Sequence, residues 1–214
     1  MRIPLEKRLR KRAHVEVAAL QDEVLELLYA IDNSLVLHGG TAIWRCYGGN
    51  RFSEDLDLYS RAVEKIAGQL PEAVKKRGIE VRKMKKTANL LFCKLADQNA
   101  EIRVEVNHAA RVKPVLKPYE KVDGTFMEVL TLPPEELIAE KMNAYEKRRL
   151  IRDVYDVNHL SSHAQPNPEL AEKMRKFLHS LKRPLDEKNL KAIVYSGTIP
   201  SFEDIAESLA GRFA

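Results

Sequence analysis

His38-Gly39-Gly40-Thr41-Ala42-Ile43 is followed shortly by Arg51-Phe52-Ser53-Glu54-Asp55-Leu56-Asp57-Leu58, and these two segments carry the strongest local pattern in the chain. Leu35-Val36-Leu37-His38 reads as a short apolar strand running into two glycines, and a helix follows from about Thr41 to Tyr47. Glycines let the backbone approach a ligand closely, and a helix start aims unpaired N–H groups and a positive dipole end at phosphate. Thr41 adds a hydroxyl donor. Asp55-Leu56-Asp57-Leu58-Tyr59 alternates polar and apolar, as a half-buried strand does. Residues i and i+2 of a strand share a face, so the Asp55 and Asp57 carboxylates stand side by side. Like charges this close call for a cation. Mg²⁺ takes a few carboxylates together with substrate phosphate oxygens. Metal ions so held activate an attacking hydroxyl and stabilise a leaving oxygen. The bland alternative is a structural Gly-Gly turn before a solvated strand face with two acids.

Outward from this stretch, Val15, Val17, Leu20, Val24, Leu27, Leu28 and Ile31 recur at helical spacing and predict a helix over 13–32. A helix is expected over 61–77. Strands are expected at Gly78 to Lys85, Asn89 to Leu95, Glu101 to Asn107 and Phe126 to Leu130, the first three pairing antiparallel through short turns. From Pro133-Pro134 the pattern turns helical, over 134–148, 152–163, 167–181, 185–195 and 201–212. The expected organisation is an α/β (α+β) half with a mixed sheet and a basic N-terminal helix, residues 1–132, then a helical region packed on it, residues 133–214.

Gly-Gly-Thr ahead of Asp-x-Asp resembles the polymerase β-type nucleotidyltransferases, and that resemblance implies a third carboxylate on a later strand. Ile102, Val104 and Val106 form one face of a strand; Glu101, Arg103, Glu105 and Asn107 form the other. Glu105 is central on the polar face and is preferred, with Glu101 as the alternative. Arg51 and Ser53, just before the aspartates, suit triphosphate oxygens; Ser53 equally suits a turn cap.

Gly-Gly-Thr, a short helix and Asp-x-Asp together resemble the DNA polymerase β-type nucleotidyltransferase fold. The longer string, His38 to Leu58, is similar to the AbiEii/AbiGii toxin family, nucleotidyltransferase-like proteins of bacterial and archaeal toxin–antitoxin and phage-defence systems. Pro134-Glu135-Glu136-Leu137-Ile138-Ala139-Glu140-Lys141 and Arg152-Asp153-Val154-Tyr155-Asp156 resemble its C-terminal signature. The resemblance implies a polymerase β-like core with a C-terminal helical bundle. It implies transfer of a nucleotide from an NTP to an acceptor hydroxyl, on a tRNA 3′ end or a protein, with release of pyrophosphate. It implies Mg²⁺, with Mn²⁺ as its alternative, held by Asp55, Asp57 and Glu105. Gly39, Gly40 and Thr41 would cradle the triphosphate, helped by Arg51, Ser53 and Lys141, with Asp153 facing the nucleotide site and a cognate antitoxin as partner. The superfamily often has Asp where Glu105 stands, and the longer side chain alters the reach of that ligand. Read from the residues alone, Lys141 is a surface lysine, and Asp153 and Asp156 share a helix face with Arg149 or Arg152 for company. The other functional readings are an inactive nucleotide- or antitoxin-binding module of the same fold, and a general RNA-binding protein.

Composition agrees with an ordered globular chain. The 214 residues are 44% hydrophobic and carry 36 Lys+Arg against 31 Asp+Glu, a net charge of +5. From Arg2 to Arg12 there are six basic residues and one acid, 6 − 1 = +5, so the remainder is balanced. That arm reads either as a solvated helix start or as a phosphate contact. No apolar run of membrane-spanning length occurs, and no apolar segment follows the basic start as in a secretory signal. Cys46 and Cys93, the two cysteines, suit neither a disulfide framework nor a zinc cluster, and a reducing cytoplasm is expected. They read as core, as do Trp44 and His38, and His159 and His163 lack a third metal ligand. The basic clusters Lys75 to Arg77, Arg82 to Lys86 and Lys147 to Arg152 are singly ordinary solvated faces. Gathered on one side with the arm, they would form a groove for RNA.

Overall fold

The computed structural model describes residues 3–109, 113–165 and 167–213, so Arg2 of the basic arm lies outside the described residues. The chain divides into two units: residues 1–46 with 52–132, and residues 47–51 with 133–214.

The first unit is built on a seven-stranded mixed sheet of order β3-β4-β5-β2-β1-β7-β6. Its strands are β1 (Val36–His38), β2 (Asp55–Ser60), β3 (Glu80–Lys86), β4 (Leu90–Ala96), β5 (Glu101–His108), β6 (Val115–Glu120) and β7 (Phe126–Thr131). Its helices are α1 (Leu5–Arg8), α2 (Arg12–Ile31), α3 (Gly39–Cys46) and α4 (Val63–Lys75). Alternation decides the faces. Leu56 and Leu58 of β2, Val104 and Val106 of β5, and Leu91 and Cys93 of β4 point into one core with Leu20, Val24 and Leu28 of α2 and Ile66, Leu70 and Val74 of α4. Each such side chain contributes roughly 1.5–3 kcal/mol by leaving water. The polar residues of β2 and β5 therefore share the opposite face. At the centre, β2 and β5 run parallel, and β1 runs antiparallel to β2.

Strand β6 escapes the sequence reading because Pro118 interrupts Val115-Leu116-Lys117-Pro118-Tyr119-Glu120. It lies at the sheet edge, where a residue without an N–H is tolerated. The basic arm is docked, contrary to a frayed start. Leu5 and Leu9 are buried, the Glu6 N–H donates to Val122 O at 2.9 Å, and Arg8 pairs with Glu120. A buried Arg45–Asp22–Tyr119 network ties α2, α3 and β6 together, Tyr119 Oη donating to Asp22 Oδ1 at 2.9 Å.

The second unit holds α5 (Pro134–Arg148), α6 (Ile151–Ser161), α7 (Pro168–His179), a 3-10 turn (Glu187–Asn189), α8 (Leu190–Ile193) and α9 (Phe202–Phe213). The segment Tyr47–Arg51 belongs to this unit, where the sequence suggests a single boundary after 132. Its contacts explain why. Tyr195 Oη donates to Gly49 O at 2.9 Å, Tyr155 Oη to Asn50 Oδ1 at 2.5 Å, and Arg51 forms an isolated bridge with Val194. Among the described residues no helix is long and apolar enough to cross a membrane.

Candidate active site

The polar face of the first unit's sheet gathers the acids. In the parallel β2–β5 pair, Asp57 lies opposite Glu105 and Asp55 opposite Arg103. Across β1, His38 lies opposite Asp57. His38, Asp57 and Glu105 thus form one cross-strand row, and Asp55 sits one side-chain position along the same face. His38 does not stand as a lone base; its ring stacks on Tyr59 with centroids 3.9 Å apart. Burial, then the charges of Asp57 and Asp55, push the Glu105 carboxyl above the usual carboxylate range, with Arg103 and His38 opposing. Glu101 lies at the other end of β5, opposite Ala96, and pairs with Lys94 at 2.8 Å.

The glycine turn serves this row. Gly39 has φ +70°, and a Cβ there would lie 2.2 Å from Asp57 Oδ2 and 3.0 Å from its Cγ. Only glycine permits both the backbone conformation and the approach. Gly40 is buried behind it at the start of α3. Thr41 departs from the expected cradle. Its side chain is fully buried and its hydroxyl donates to the Asp55 carbonyl, locking the helix start to β2 rather than facing a phosphate. Ser53 is half-buried just before β2, and its carbonyl accepts from Gln21 Nε2 at 2.9 Å. Gln21 went unseen in the sequence, since one glutamine among the acids of α2 gives no signal.

Arg103 was visible only as one polar residue of an alternating strand. Its guanidinium donates to both carboxylate oxygens of Asp55, Nε to Oδ1 and Nη2 to Oδ2 at 2.8 Å each. Among the described residues, no three His, Cys, Asp or Glu side chains form a ready metal-ligand group. The carboxylates share a face, but Asp55 is turned to arginine.

Arg51, Lys141 and Asp153 come together in the second unit around Asp156, which the sequence sets beside Arg149 or Arg152. Asp156 receives Arg51 Nε at 2.8 Å, Arg51 Nη2 at 2.7 Å and Lys141 Nζ at 2.7 Å. Asp153 takes a two-armed bond from Arg148 at 2.7 Å per arm and lies 3.6 Å from Lys141 Nζ. All but Arg148 are buried: Arg51 is 5% exposed, Lys141 7%, Asp153 0% and Asp156 2%. Burial pushes the Asp156 carboxyl up, yet Arg51 and Lys141 outweigh it and hold it at about 2. Arg51 and Lys141 are thus buried counter-ions of Asp156, where the residues alone suggest a surface lysine at 141 and the resemblance places both residues on the triphosphate. His159 Nε2 contacts Tyr47 O at 2.9 Å in the same unit. A cavity of about 550 Å³ there, lined by Ser161, Leu170, Arg212 and Phe213 among others, contains none of these residues.

Residues 26–206 match the family described as nucleotidyl transferase AbiEii toxin, type IV toxin–antitoxin system. The fold is similar to MenT4, a nucleotidyltransferase toxin from Mycobacterium tuberculosis, at TM-score 0.64 and 22% identity, over 94% of this chain and 83% of that one. It is similar to JHP933 from Helicobacter pylori at TM-score 0.67 and 22% identity, over 95% and 91%. A nucleotidyltransferase structure from H. pylori gives TM-score 0.62 at 22% identity, over 91% and 92%. No curated protein matches at the level of sequence.

Proposed function

Because this chain belongs to the AbiEii nucleotidyl transferase toxin family, we propose that it moves a nucleotide from an NTP to an acceptor hydroxyl at the Asp55, Asp57 and Glu105 face. The acceptor oxygen attacks the α-phosphorus and gives its proton to solvent. The bond from that phosphorus to the bridging oxygen breaks, and pyrophosphate leaves with the electron pair. The observation that carries the proposal is the pairing of Asp57 with Glu105 on adjacent parallel strands, with Gly39 packed against the Asp57 carboxylate. Such chemistry rests on positioning and charge neutralisation.

Hard carboxylate oxygens, with the Glu105 carboxyl pushed up by burial and then by Asp57 and Asp55, fit Mg²⁺, with Mn²⁺ as its alternative. Asp57 and Glu105 would hold the ion, and Asp55 would join them in exchange for Arg103. Bound there, it would offset charge on the transferring phosphoryl group. Arg103 and Asp55 are partly solvated, with side chains 50% and 28% exposed, so the exchange is affordable. Arg103→Gln is expected to tighten Mn²⁺ binding about threefold, the scale of an exposed ion pair, by spin-resonance titration. Unchanged or weaker binding would contradict the exchange.

A tRNA 3′ end and a protein hydroxyl are the two acceptors proposed, and the family description supports a cognate antitoxin as the opposing partner. Purified protein with each labelled NTP, Mg²⁺, and either total tRNA or total protein should label one acceptor class. Labelling of neither with any NTP would overturn the proposal.

A further inference from the structure

The basic cluster Arg82 to Lys86 does not behave as one solvated face. A register shift between Val81 and Lys83 sets its alternation. Lys86 meets Glu64 of α4 on the helix-covered side. Lys83 and Lys85 lie opposite Lys94 and Phe92, on the other side of the sheet. Lys94 in turn lies opposite Arg103, and Phe92 opposite Glu105. Two rows therefore leave the carboxylates for the sheet edge: Asp55, Arg103, Lys94, Lys83, and Asp57, Glu105, Phe92, Lys85. Strands lie about 4.8 Å apart, so each row spans about 14 Å. Lys83 and Lys85 are exposed and Phe92 is half-buried, with Lys83 Nζ 6.0 Å from its ring centroid. Two acids stand at the far end of the same region: Glu101 on Lys94 at 2.8 Å, and Glu80 on Arg82 at 3.1 Å. The docked N-terminal arm contacts the β6–β7 turn, at the opposite edge of the sheet.

Resting on the reading of Asp55, Asp57 and Glu105 as the transfer site, we propose that this stripe receives the single-stranded end of an RNA and leads its terminal hydroxyl to the carboxylates. Lysines spaced across strands match a run of phosphates, and an aromatic ring among them offers a stacking surface to an unpaired base. A duplex keeps its base faces stacked inside and gains nothing from Phe92. Arg103 joins the stripe to the site.

The test is fluorescence anisotropy with a labelled single-stranded oligoribonucleotide and the full chain. Lys83→Glu/Lys85→Glu should weaken binding about tenfold and flatten the salt dependence by one to two phosphate contacts, about 0.7 in slope for each. Phe92→Ser should weaken it without changing the salt slope, and an RNA duplex should compete poorly. Lys75→Glu/Lys76→Glu, with the same charge change at the end of α4, should have little effect. Equal weakening by both lysine pairs, no weakening by the first, or equal competition by duplex would overturn the proposal. The carboxylate reading fails separately, through absence of nucleotide transfer, which this binding measurement does not read.

Discussion

Gly39→Ala is expected to cut nucleotide transfer at least about a hundredfold, the scale of a misplacement near 1 Å, while the fold survives. The added Cβ would fall 2.2 Å from Asp57 Oδ2, so the carboxylate must swing away. The φ of +70° adds about 1–2 kcal/mol of strain for any residue with a Cβ. That cost alone lowers the melting temperature modestly. Transfer and circular-dichroism melting on the same sample separate the two effects. Near wild-type transfer would show that Asp57 need not hold its present position.

Asp156→Ala is expected to destabilise the chain by about 3–5 kcal/mol, because Arg51 and Lys141 stay buried without the carboxylate that both bind. Denaturant titration reads this directly. Replacing Arg51, Lys141 and Asp156 together by apolar residues of similar volume should recover much of the loss, as for other buried ion triads. The same carboxylate gives a pH signature. Its folded pKa, held at about 2, lies below the ordinary 3.8, so the folded state binds this proton more weakly. The stabilisation is therefore complete above about pH 4 and drains as pH falls through the window down to about 2. Asp156→Ala should flatten that part of the stability profile. A variant as acid-sensitive as wild type would contradict the assignment.

Legibility followed sequence distance. The Gly-Gly turn and Asp-x-Asp lie within twenty residues, and their alternation and turn chemistry are local, so strand, helix start and facing carboxylates are all readable. Glu105 emerges from alternation in β5. Its standing relative to Glu101 depends on the parallel register with β2, which pairs residues 48 apart and leaves no local mark. Thr41 shows the limit of a local reading: its hydroxyl turns inward to the Asp55 carbonyl because α3 packs directly on β2. Arg51, Lys141, Asp153 and Asp156 were harder. Charge in a sequence implies water, and the meeting of Arg51 with Asp156 across 105 residues leaves no local mark. Strand β6 was masked by a proline that only an edge position accommodates. The basic arm hid its anchors, Leu5 and Leu9, among six cations. The role of Lys83 and Lys85 depends on a one-residue shift in β3, which flips side chains between faces.

Nucleotide transfer by Asp57 and its row is read out by a single substitution. Wild type and Asp57→Asn, matched for melting temperature, are incubated with labelled NTPs, Mg²⁺ and total tRNA or total protein. Labelled acceptor and released pyrophosphate are expected with wild type, and only background with Asp57→Asn. Equal labelling by the two proteins would contradict it.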